Sequence, residues 1–447
     1  MSVNGSVTER IVQTARCLQF EALPEDVVVL AKHCLLDWVG VAIAGSQQPL
    51  ASLLLAEAQE QGGDGAAAVL GTPLRTTPLM AALVNGAASH ALDYDDVHLM
   101  MPGHPSVPVY PALLALAEAG QEAPGHRFLT AFVAGLETEC RVGGVMAPGH
   151  YRAGWHATAT LGALGAAAAC AHYLGLTEEQ WRHALGIAGA LASGLKSMFG
   201  TMTKPLQAGK AALNGLLAAR LAARGFTADA AVLDSEQGFC ATHTDTLRPQ
   251  VLDRLEGGFA IRDVLFKYHA ACYGTHASIE AALRLRERHG ISPEQVREVR
   301  LRVPEVNMGI CNIPSPRTGL EGKFSMRFTT ALALAGWGTD EAAFNDASVR
   351  EPSLVSLMER VHVEADPEMR DSCSEVTVTL ADGTSLSEFA DVSRPCPDLD
   401  LQWRRLTAKF RGLVSPVLGE ERAEALIEAI ARVEGGDVRE IARLCQP

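Results

Sequence analysis

The longest stretch without a charged residue most constrains how this chain can fold. From Ala153 to Thr177 the sequence contains no Asp, Glu, Lys or Arg, and such a segment is long enough to cross a bilayer as a helix. It is rich in Ala and Gly rather than in Leu, Ile and Phe, and it contains His156 and His172. Because polar side chains are costly inside a membrane, the stretch predicts a buried core helix and no membrane anchor.

The composition favours a dense helical core. Of the 447 residues, 48% are hydrophobic but only 5% are aromatic, and 20% are charged. These values exclude disorder, collagen and small disulfide-rich scaffolds. The length indicates two or three domains. Small Ala and Gly side chains let helices approach closely, so a tight core forms without large rings.

The net charge and the cysteine pattern indicate which partners and which cell compartment to expect. The 38 Lys and Arg residues stand against 52 Asp and Glu, a formal net charge of −14, whereas a surface that binds nucleic acid is basic. We therefore expect no nucleic-acid partner, although a small anionic substrate can still bind a local cluster of cations. The ten cysteines include no C-x-x-C pair and the N-terminal residues do not resemble a secretion signal. We expect a cytoplasmic protein with reduced thiols.

The spacing of apolar residues divides the chain. As far as about Gly225 they recur at helical spacing, which predicts an all-helical domain over residues 1–265, completed by helices in residues 402–447. After about Phe266, alternating patterns such as Val299 to Val303, and an Asp382-Gly383 turn, predict strands and a hairpin. Residues 266–401 are therefore predicted to form a smaller α+β domain. The expected fold class is mainly α, with one large helical domain and one small α+β domain.

The densest polar cluster lies between Asn85 and Ser106. Within fifteen residues it contains three carboxylates and three imidazoles: Asp93, Asp95 and Asp96, with His90, His98 and His104. Three interpretations are open from the residue types: capping of a helix end, a metal site, or a metal-free acid/base site. The spacing fits no H-E-x-x-H or similar pattern, which argues against metal ligation.

Three other short segments combine one polar residue with apolar, Gly-rich surroundings. They are Gly154-Trp155-His156, Thr203-Lys204-Pro205-Leu206 and Phe266-Lys267-Tyr268. A helix N-terminus with free amides favours an anion, and a nearby Lys favours it further. For each segment alone, an exposed Lys or a hydrogen-bonded His is the simpler interpretation. Their joint occurrence indicates a site for an anionic ligand.

Together these motifs resemble those of the MmgE/PrpD family, whose members include 2-methylcitrate dehydratase, cis-aconitate decarboxylase and iminodisuccinate epimerase. The likeness covers nearly the whole chain. It implies a helical domain closed by the C-terminal segment, a smaller α+β lid domain, an active site between them, usually a homodimer, and neither metal nor organic cofactor. The likeness rests on N-G-A-A-S-H-A-L-D-Y-D-D from Asn85, H-P-S from His104, G-W-H from Gly154, F-G-T-M-T-K-P-L from Phe199, A-G-K-A-A-L-N-G from Ala208 and F-K-Y from Phe266.

The resemblance also implies roles for single residues. Those that match family active-site positions are Asp93, His104, His156, Lys204 and Lys267. We further predict substrate contacts for His98, Gln207, Tyr273 and Arg327.

Three positions depart from the dehydratase and decarboxylase patterns. Val97 stands where D-D-T has its Thr, Gln207 stands where K-P-L-H has its His, and Met326 follows Phe324-Ser325 where a Tyr is expected. These losses of polar groups argue against dehydration of methylcitrate and decarboxylation of aconitate.

The family reactions share charge development on a carbon next to a carboxylate. Such chemistry needs a base at that C–H bond and cations that hold the carboxylates and the enolate-like transition state. Lys204 and Lys267 suit the cation role, and a Lys that is partly desolvated or beside another cation can also have a lowered pKa and act as the base. His104 and His156 suit proton transfer, and Asp93 suits orientation. We therefore predict an isomerase that epimerises an iminodisuccinate-like amino dicarboxylate. The alternatives are a hydro-lyase acting on a 2-methylcitrate-like acid, a non-catalytic dicarboxylate-binding protein and a metal-dependent hydrolase.

Overall fold

The computed structural model describes residues 5–63 and 65–447, most of which are helical. The helices, in chain order, are α1 (Val7–Arg16), α2 (Glu25–Gly45), α3 (Pro49–Gln61), α4 (Pro78–Ser89), α5 (Ser106–Glu118), α6 (Gly125–Met146), α7 (Gly149–Arg152), α8 (Ala157–Leu174), α9 (Glu178–Leu191), α10 (Thr203–Ala223), α11 (Phe239–His243), α12 (Val251–Arg254), α13 (His276–His289), α14 (Glu305–Ile310), α15 (Gly319–Gly322), α16 (Met326–Ala335), α17 (Pro352–Met358), α18 (Leu399–Leu418), α19 (Glu420–Ala431) and α20 (Arg439–Leu444).

The strands are fewer and shorter. They are β1 (Ala67–Ala68), β2 (Arg75–Thr76), β3 (Val296–Pro304), β4 (Val361–Asp366), β5 (Cys373–Leu380) and β6 (Ser385–Asp391). The chain separates into one unit of Met1–Phe266 with Cys396–Pro447 and a second unit of Lys267–Pro395. The predicted fold class is confirmed: the first unit is helical apart from the short β1–β2 ribbon, and the second combines helices with a four-stranded sheet.

The second boundary lies earlier than the sequence predicts. The sequence predicts a boundary between residues 401 and 402, because the apolar helical period of the C-terminal segment is recognisable only within α18. The structure assigns the segment from Cys396 onwards to the first unit. Asp398 caps α18 by accepting a hydrogen bond from the Leu401 amide at 2.9 Å, so the helix begins before its apolar pattern is apparent.

Close helix crossings make up the core of the first unit. Helix α10 packs against both α4 and α8, and glycines make the crossings tight. A Cβ atom on Gly209 would lie 2.1 Å from the carbonyl oxygen of Leu83, and one on Gly215 would lie 2.4 Å from the Ala166 Cβ. Any larger side chain would force the helices apart. The Gly and Ala content therefore allows the close packing that the composition predicts.

Within residues 5–63 and 65–447, two helices are long and apolar enough to cross a membrane, α2 and α8, and both belong to the first unit. Other helices cover most of their surface, since 78% and 89% of the apolar windows are buried. Both are therefore core helices of a folded domain, as the sequence predicts for α8.

The second unit is built on a sheet with the order β4-β3-β5-β6. Strand β3 runs parallel to β4 and antiparallel to β5, and β5 and β6 form a hairpin in which Val376 lies opposite Glu388. Gly383 in the turn has φ 91°, a left-handed conformation that favours glycine. Helices α13 and α16 pack with this sheet. The predicted strands and hairpin are confirmed.

Candidate active site

The loop between α4 and α5 carries the centre of the polar cluster. Asp93 has φ 51°, an uncommon backbone conformation for a residue other than glycine. Residues held in such conformations often lie at functional sites. The side chain of Asp93 is 40% exposed, whereas that of Asp95 is 1% exposed. Asp93 can therefore meet a ligand, while Asp95 is a buried support.

Asp95 holds two imidazoles in place. The Nδ1 atom of His90 donates a hydrogen bond to Asp95 Oδ2 at 2.8 Å. The Nδ1 atom of His104 lies 2.9 Å from the same oxygen, an ion-pair distance without the alignment of a hydrogen bond. Burial favours a neutral carboxyl, but His104 and His90 outweigh it and hold the pKa of Asp95 well below its ordinary value. Burial lowers the pKa of His90 to about 4. An ionised Asp95 thus faces a neutral His90.

Lys204 is the cation of the site. It lies in the first turn of α10, where its Nζ atom donates to Asp93 Oδ1 at 2.9 Å. The same oxygen is 3.6 Å from His104 Nε2. Burial opposes the charge of Lys204, but Asp93 and Asp95 outweigh burial and raise its pKa. Lys204 therefore remains an ammonium group at neutral pH and is unsuited to act as a base.

His156 is a neutral imidazole beside this charged pair. It occupies the N-cap position of α8, but its side chain does not cap the helix. Its Nδ1 atom is 2.7 Å from Gln207 Oε1, and its ring stacks on His90 with centroids 5.7 Å apart. Burial, followed by the effect of His90, lowers its pKa to about 3. The ring of Phe199 contacts both His156, at 5.1 Å, and the Lys204 ammonium, at 5.3 Å.

A buried ion pair that the sequence did not reveal stabilises the loop between α4 and α5. The Nζ atom of Lys409, on α18, lies 2.6 Å from Asp37 Oδ1 on α2 and donates to the Tyr94 carbonyl oxygen, also at 2.6 Å. Tyr94 separates Asp93 from Asp95, so Lys409 holds the residue between two site carboxylates. In the sequence, Lys409 is an ordinary charged position of an amphipathic helix. Only its burial distinguishes it, at 8% exposure.

His98 has a different environment from the one predicted. Its Nε2 atom donates to the Ala260 carbonyl oxygen at 2.9 Å, and its Nδ1 atom accepts from the Met100 amide at 3.2 Å. The side chain is buried, and burial lowers its pKa. Because both ring nitrogens bind the main chain, we leave His98 out of the proposed site and assign it to loop structure.

Three predicted site residues belong to the second unit. Lys267 is its first residue. The Tyr273 hydroxyl donates to the Val392 carbonyl oxygen at 2.5 Å, and Arg327 donates to Asn312 Oδ1 at 2.5 Å. These bonds give Tyr273 and Arg327 structural contacts within the unit. Roles for the three residues in catalysis or substrate binding stay predictions from the family resemblance.

Four residues of the loop are close enough to hold a metal ion. Ligand atoms of His90, Asp93, Asp95 and His104 all lie within 4.8 Å of one another. However, the His90 nitrogen nearest Asp95 donates a hydrogen bond, and Asp93 already binds the Lys204 ammonium. A metal ion would have to displace these contacts. The arrangement fits an acid/base network better than a metal centre.

Comparison with known proteins agrees with this architecture. A family model described as the MmgE/PrpD N-terminal domain matches residues 9–251, and one described as the MmgE/PrpD C-terminal domain matches residues 269–434. The chain is 30% identical to the cis-aconitate decarboxylase of Homo sapiens over 446 residues, which cover 96% of this chain and 92% of that protein. It is 28% identical to the cis-aconitate decarboxylase of Aspergillus terreus, with 97% and 94% covered. Two matched domains and relatives aligned over almost the full length show that this chain belongs to the MmgE/PrpD family.

Proposed function

We propose that this protein catalyses cofactor-independent proton transfer at a carbon next to a carboxylate of a small polycarboxylic acid. The observation that carries the proposal is the neutral His156 imidazole placed beside the Lys204–Asp93 ion pair. A neutral imidazole can accept the proton of a C–H bond. An ammonium group held ready can bind the substrate carboxylate and stabilise the enolate-like charge that develops.

We assign return of a proton to the substrate to the other residues of the site. His104 lies beside two carboxylates, with Nε2 3.6 Å from Asp93 Oδ1 and Nδ1 2.9 Å from Asp95 Oδ2. We assign His156 to remove the proton and His104 to deliver one to the carbanion. Asp93 orients Lys204 and His104, and the buried Asp95 holds His104 in position.

Epimerisation of an iminodisuccinate-like amino dicarboxylate is our first candidate reaction. Its support is the pair of departures at Val97 and Gln207. Val97 has no hydroxyl, and its main chain pairs with Leu265. Gln207 binds His156 and supplies no titrating group. The site thus lacks a hydroxyl and an imidazole of the dehydratase and decarboxylase patterns, but it retains a base, an acid and a cation.

A lyase reaction is the second candidate, supported by the similarity to cis-aconitate decarboxylases over nearly the whole chain. Loss of carbon dioxide from a cis-aconitate-like acid also leaves a carbanion that must be stabilised and protonated. Dehydration of a 2-methylcitrate-like acid would use the same base with a hydroxyl as leaving group.

The localisation, oligomeric state and partners of the protein are also proposals. We propose a cytoplasmic homodimer that acts on a small anionic substrate, without metal, nucleic-acid or membrane partners. The net charge of −14 supports the absence of nucleic acid. All ten cysteines are free thiols, which suits a reducing compartment.

Incubation with candidate acids in deuterated water tests the proposal. The purified protein is followed by NMR with iminodisuccinate, cis-aconitate and 2-methylcitrate. Epimerisation predicts deuterium at the carbon next to the carboxylate, inversion of configuration and no alkene. Carbon dioxide release from cis-aconitate, or an alkene formed from 2-methylcitrate, would instead establish a lyase.

The controls separate the other classes of function. The H156Q variant should lose exchange with every acid, because an amide cannot take the proton. Binding of an acid without exchange or product would favour the non-catalytic alternative. Activity that disappears on chelation and returns with a stoichiometric metal ion would favour the metal-dependent alternative. Elemental analysis of the active protein checks this last outcome.

A further inference from the structure

The amide of Gln207 has only one consistent orientation. It lies between His156 Nδ1, 2.7 Å from Oε1, and the Leu195 carbonyl oxygen, 3.3 Å from Nε2. A carbonyl oxygen can only accept a hydrogen bond, so the amide NH₂ must face Leu195. The amide oxygen of Gln207 then faces His156, and because it also only accepts, His156 Nδ1 must carry the hydrogen.

The backbone segment around Leu195, which fixes the orientation of the Gln207 amide, is hydrogen-bonded to the segment that contains His156. The His156 amide donates to the Gly194 carbonyl oxygen at 3.0 Å, and the Lys196 amide donates to the Gly154 carbonyl oxygen at 2.9 Å. These bonds join the segment around Leu195 to the residues on both sides of His156. The Leu195 carbonyl oxygen therefore cannot turn away without breaking this short ladder.

Gly194 leaves room for the amide. A Cβ atom at this position would lie 2.4 Å from the Ala159 Cβ and 3.2 Å from Gln207 Oε1. A larger residue would push against both helix α8 and the amide that binds His156. The packing thus agrees with the hydrogen bonds on where Gln207 lies.

A neutral imidazole has one N–H and one lone pair. With the hydrogen on Nδ1, the lone pair of His156 is on Nε2, and no residue in the described ranges hydrogen-bonds to that atom. We propose that Gln207 is a positioning residue that fixes the tautomer of His156 and so makes Nε2 its basic atom. This inference deepens the proposed proton transfer and rests on it for the catalytic role of His156.

The choice of an amide matters for the chemistry. A carboxylate at position 207 would stabilise the imidazolium form and keep the proton on the base. A histidine could act as donor or acceptor, so it would not select one tautomer of His156. The amide selects the tautomer without adding a charge. Gln207 therefore selects the tautomer, while burial lowers the pKa of His156 and leaves the ring neutral and able to accept a proton.

NMR of protein labelled with ¹⁵N in its histidine rings tests the tautomer without any substrate. The His156 signals are identified as those lost in H156Q. We expect the wild-type protein at pH 7 to show a protonated Nδ1 and an unprotonated Nε2. In Q207L the acceptor is gone, and we expect the signals to move towards the tautomer protonated at Nε2. In Q207E we expect His156 to gain a second proton at higher pH than in the wild type.

A matched control uses the same type of contact elsewhere. His33 Nδ1 is 2.7 Å from Gln402 Oε1, and both side chains are buried. Q402L should change the His33 signals but leave the His156 signals and deuterium exchange unchanged. This separates an effect on the base from the general cost of removing a buried amide.

The pH dependence of turnover gives the catalytic readout. A carboxylate beside Nδ1 raises the pKa of the base, and a base must be deprotonated to act. The acid limb of kcat/KM in Q207E should therefore move up by about 1 to 2 pH units. Q207L should lower kcat on the order of 10²-fold with little change in KM, because the wrong tautomer removes the base rather than the binding contacts.

The NMR experiment tests the tautomer of His156 separately from the proposed catalytic function. A wild-type His156 protonated at Nε2 would overturn the inference whatever the activity. Unchanged His156 signals in Q207L would also overturn it. The expected tautomer in a protein that exchanges no acid would support the positioning role of Gln207 and contradict the proposed function alone.

Discussion

Replacement of Lys204 by Met should lower kcat/KM on the order of 10³-fold, through loss of the ammonium that stabilises the developing negative charge. The Nζ atom binds Asp93 at 2.9 Å, and the raised pKa keeps it charged. A Met side chain has similar length and no charge, so the ion pair between position 204 and Asp93 would be lost. Steady-state kinetics with the acid identified by the deuterium experiment measure the loss.

An arginine at the same position separates two roles for Lys204. If Lys204 acts as a permanent cation, K204R should retain more activity than K204M, because guanidinium keeps the charge. If Lys204 were the base, both variants would be equally inactive, and our assignment would be wrong. Lys210 lies on the same helix and is exposed. K210M should remain within about twofold of the wild-type rate, in line with the small effects of most surface substitutions.

The second large effect concerns stability. K409M should lower the free energy of unfolding by about 3–5 kcal/mol, because breaking a buried ion pair leaves an uncompensated charge. Lys409 and Asp37 side chains are 4% and 1% exposed. The same change removes the donor to the Tyr94 carbonyl oxygen. Urea unfolding of the full chain, followed by circular dichroism, measures the loss.

Arg411 provides the matched control on the same helix. Its ion pair with Glu424 is about half exposed, at 50% and 49%, and such pairs contribute about 0–1 kcal/mol. R411M should therefore leave the unfolding midpoint almost unchanged. The double variant K409M/D37L should recover part of the lost stability, because it removes the buried charge as well as its partner. Equal stability of K409M and R411M would contradict the structural role of Lys409.

Much of the architecture was predictable because local patterns determine it. The uncharged segment from Ala153 to Thr177 indicates a core helix, and α8 occupies Ala157–Leu174 with most of its surface buried. The alternation before Asp382-Gly383 indicates a hairpin, and β5 and β6 pair around that turn. Helical period, strand alternation and turn chemistry act between near neighbours in the chain, so they can be recognised without a structure.

The candidate site was only partly predictable. The motifs drew attention to Asp93, His104, His156 and Lys204, all of which lie in the first unit. They gave no role to His90 or Asp95, although both belong to the same polar cluster. They also placed His98 in the site, whereas its nitrogens bind the main chain. Residue type and spacing cannot distinguish a histidine that faces a ligand from one that binds a carbonyl oxygen.

The sequence by itself determined the helical and α+β classes of the two units, the family, and the segments that carry polar chemistry. Only the tertiary structure decided which of those groups are charged and which atoms they present. Lys409 meets Asp37 across 372 residues, and Gln207 meets His156 across 51. Hydrogen bonds and desolvation act over a few ångströms in space. Protonation and tautomer at this site therefore follow from packing, which brings together residues that no local pattern connects.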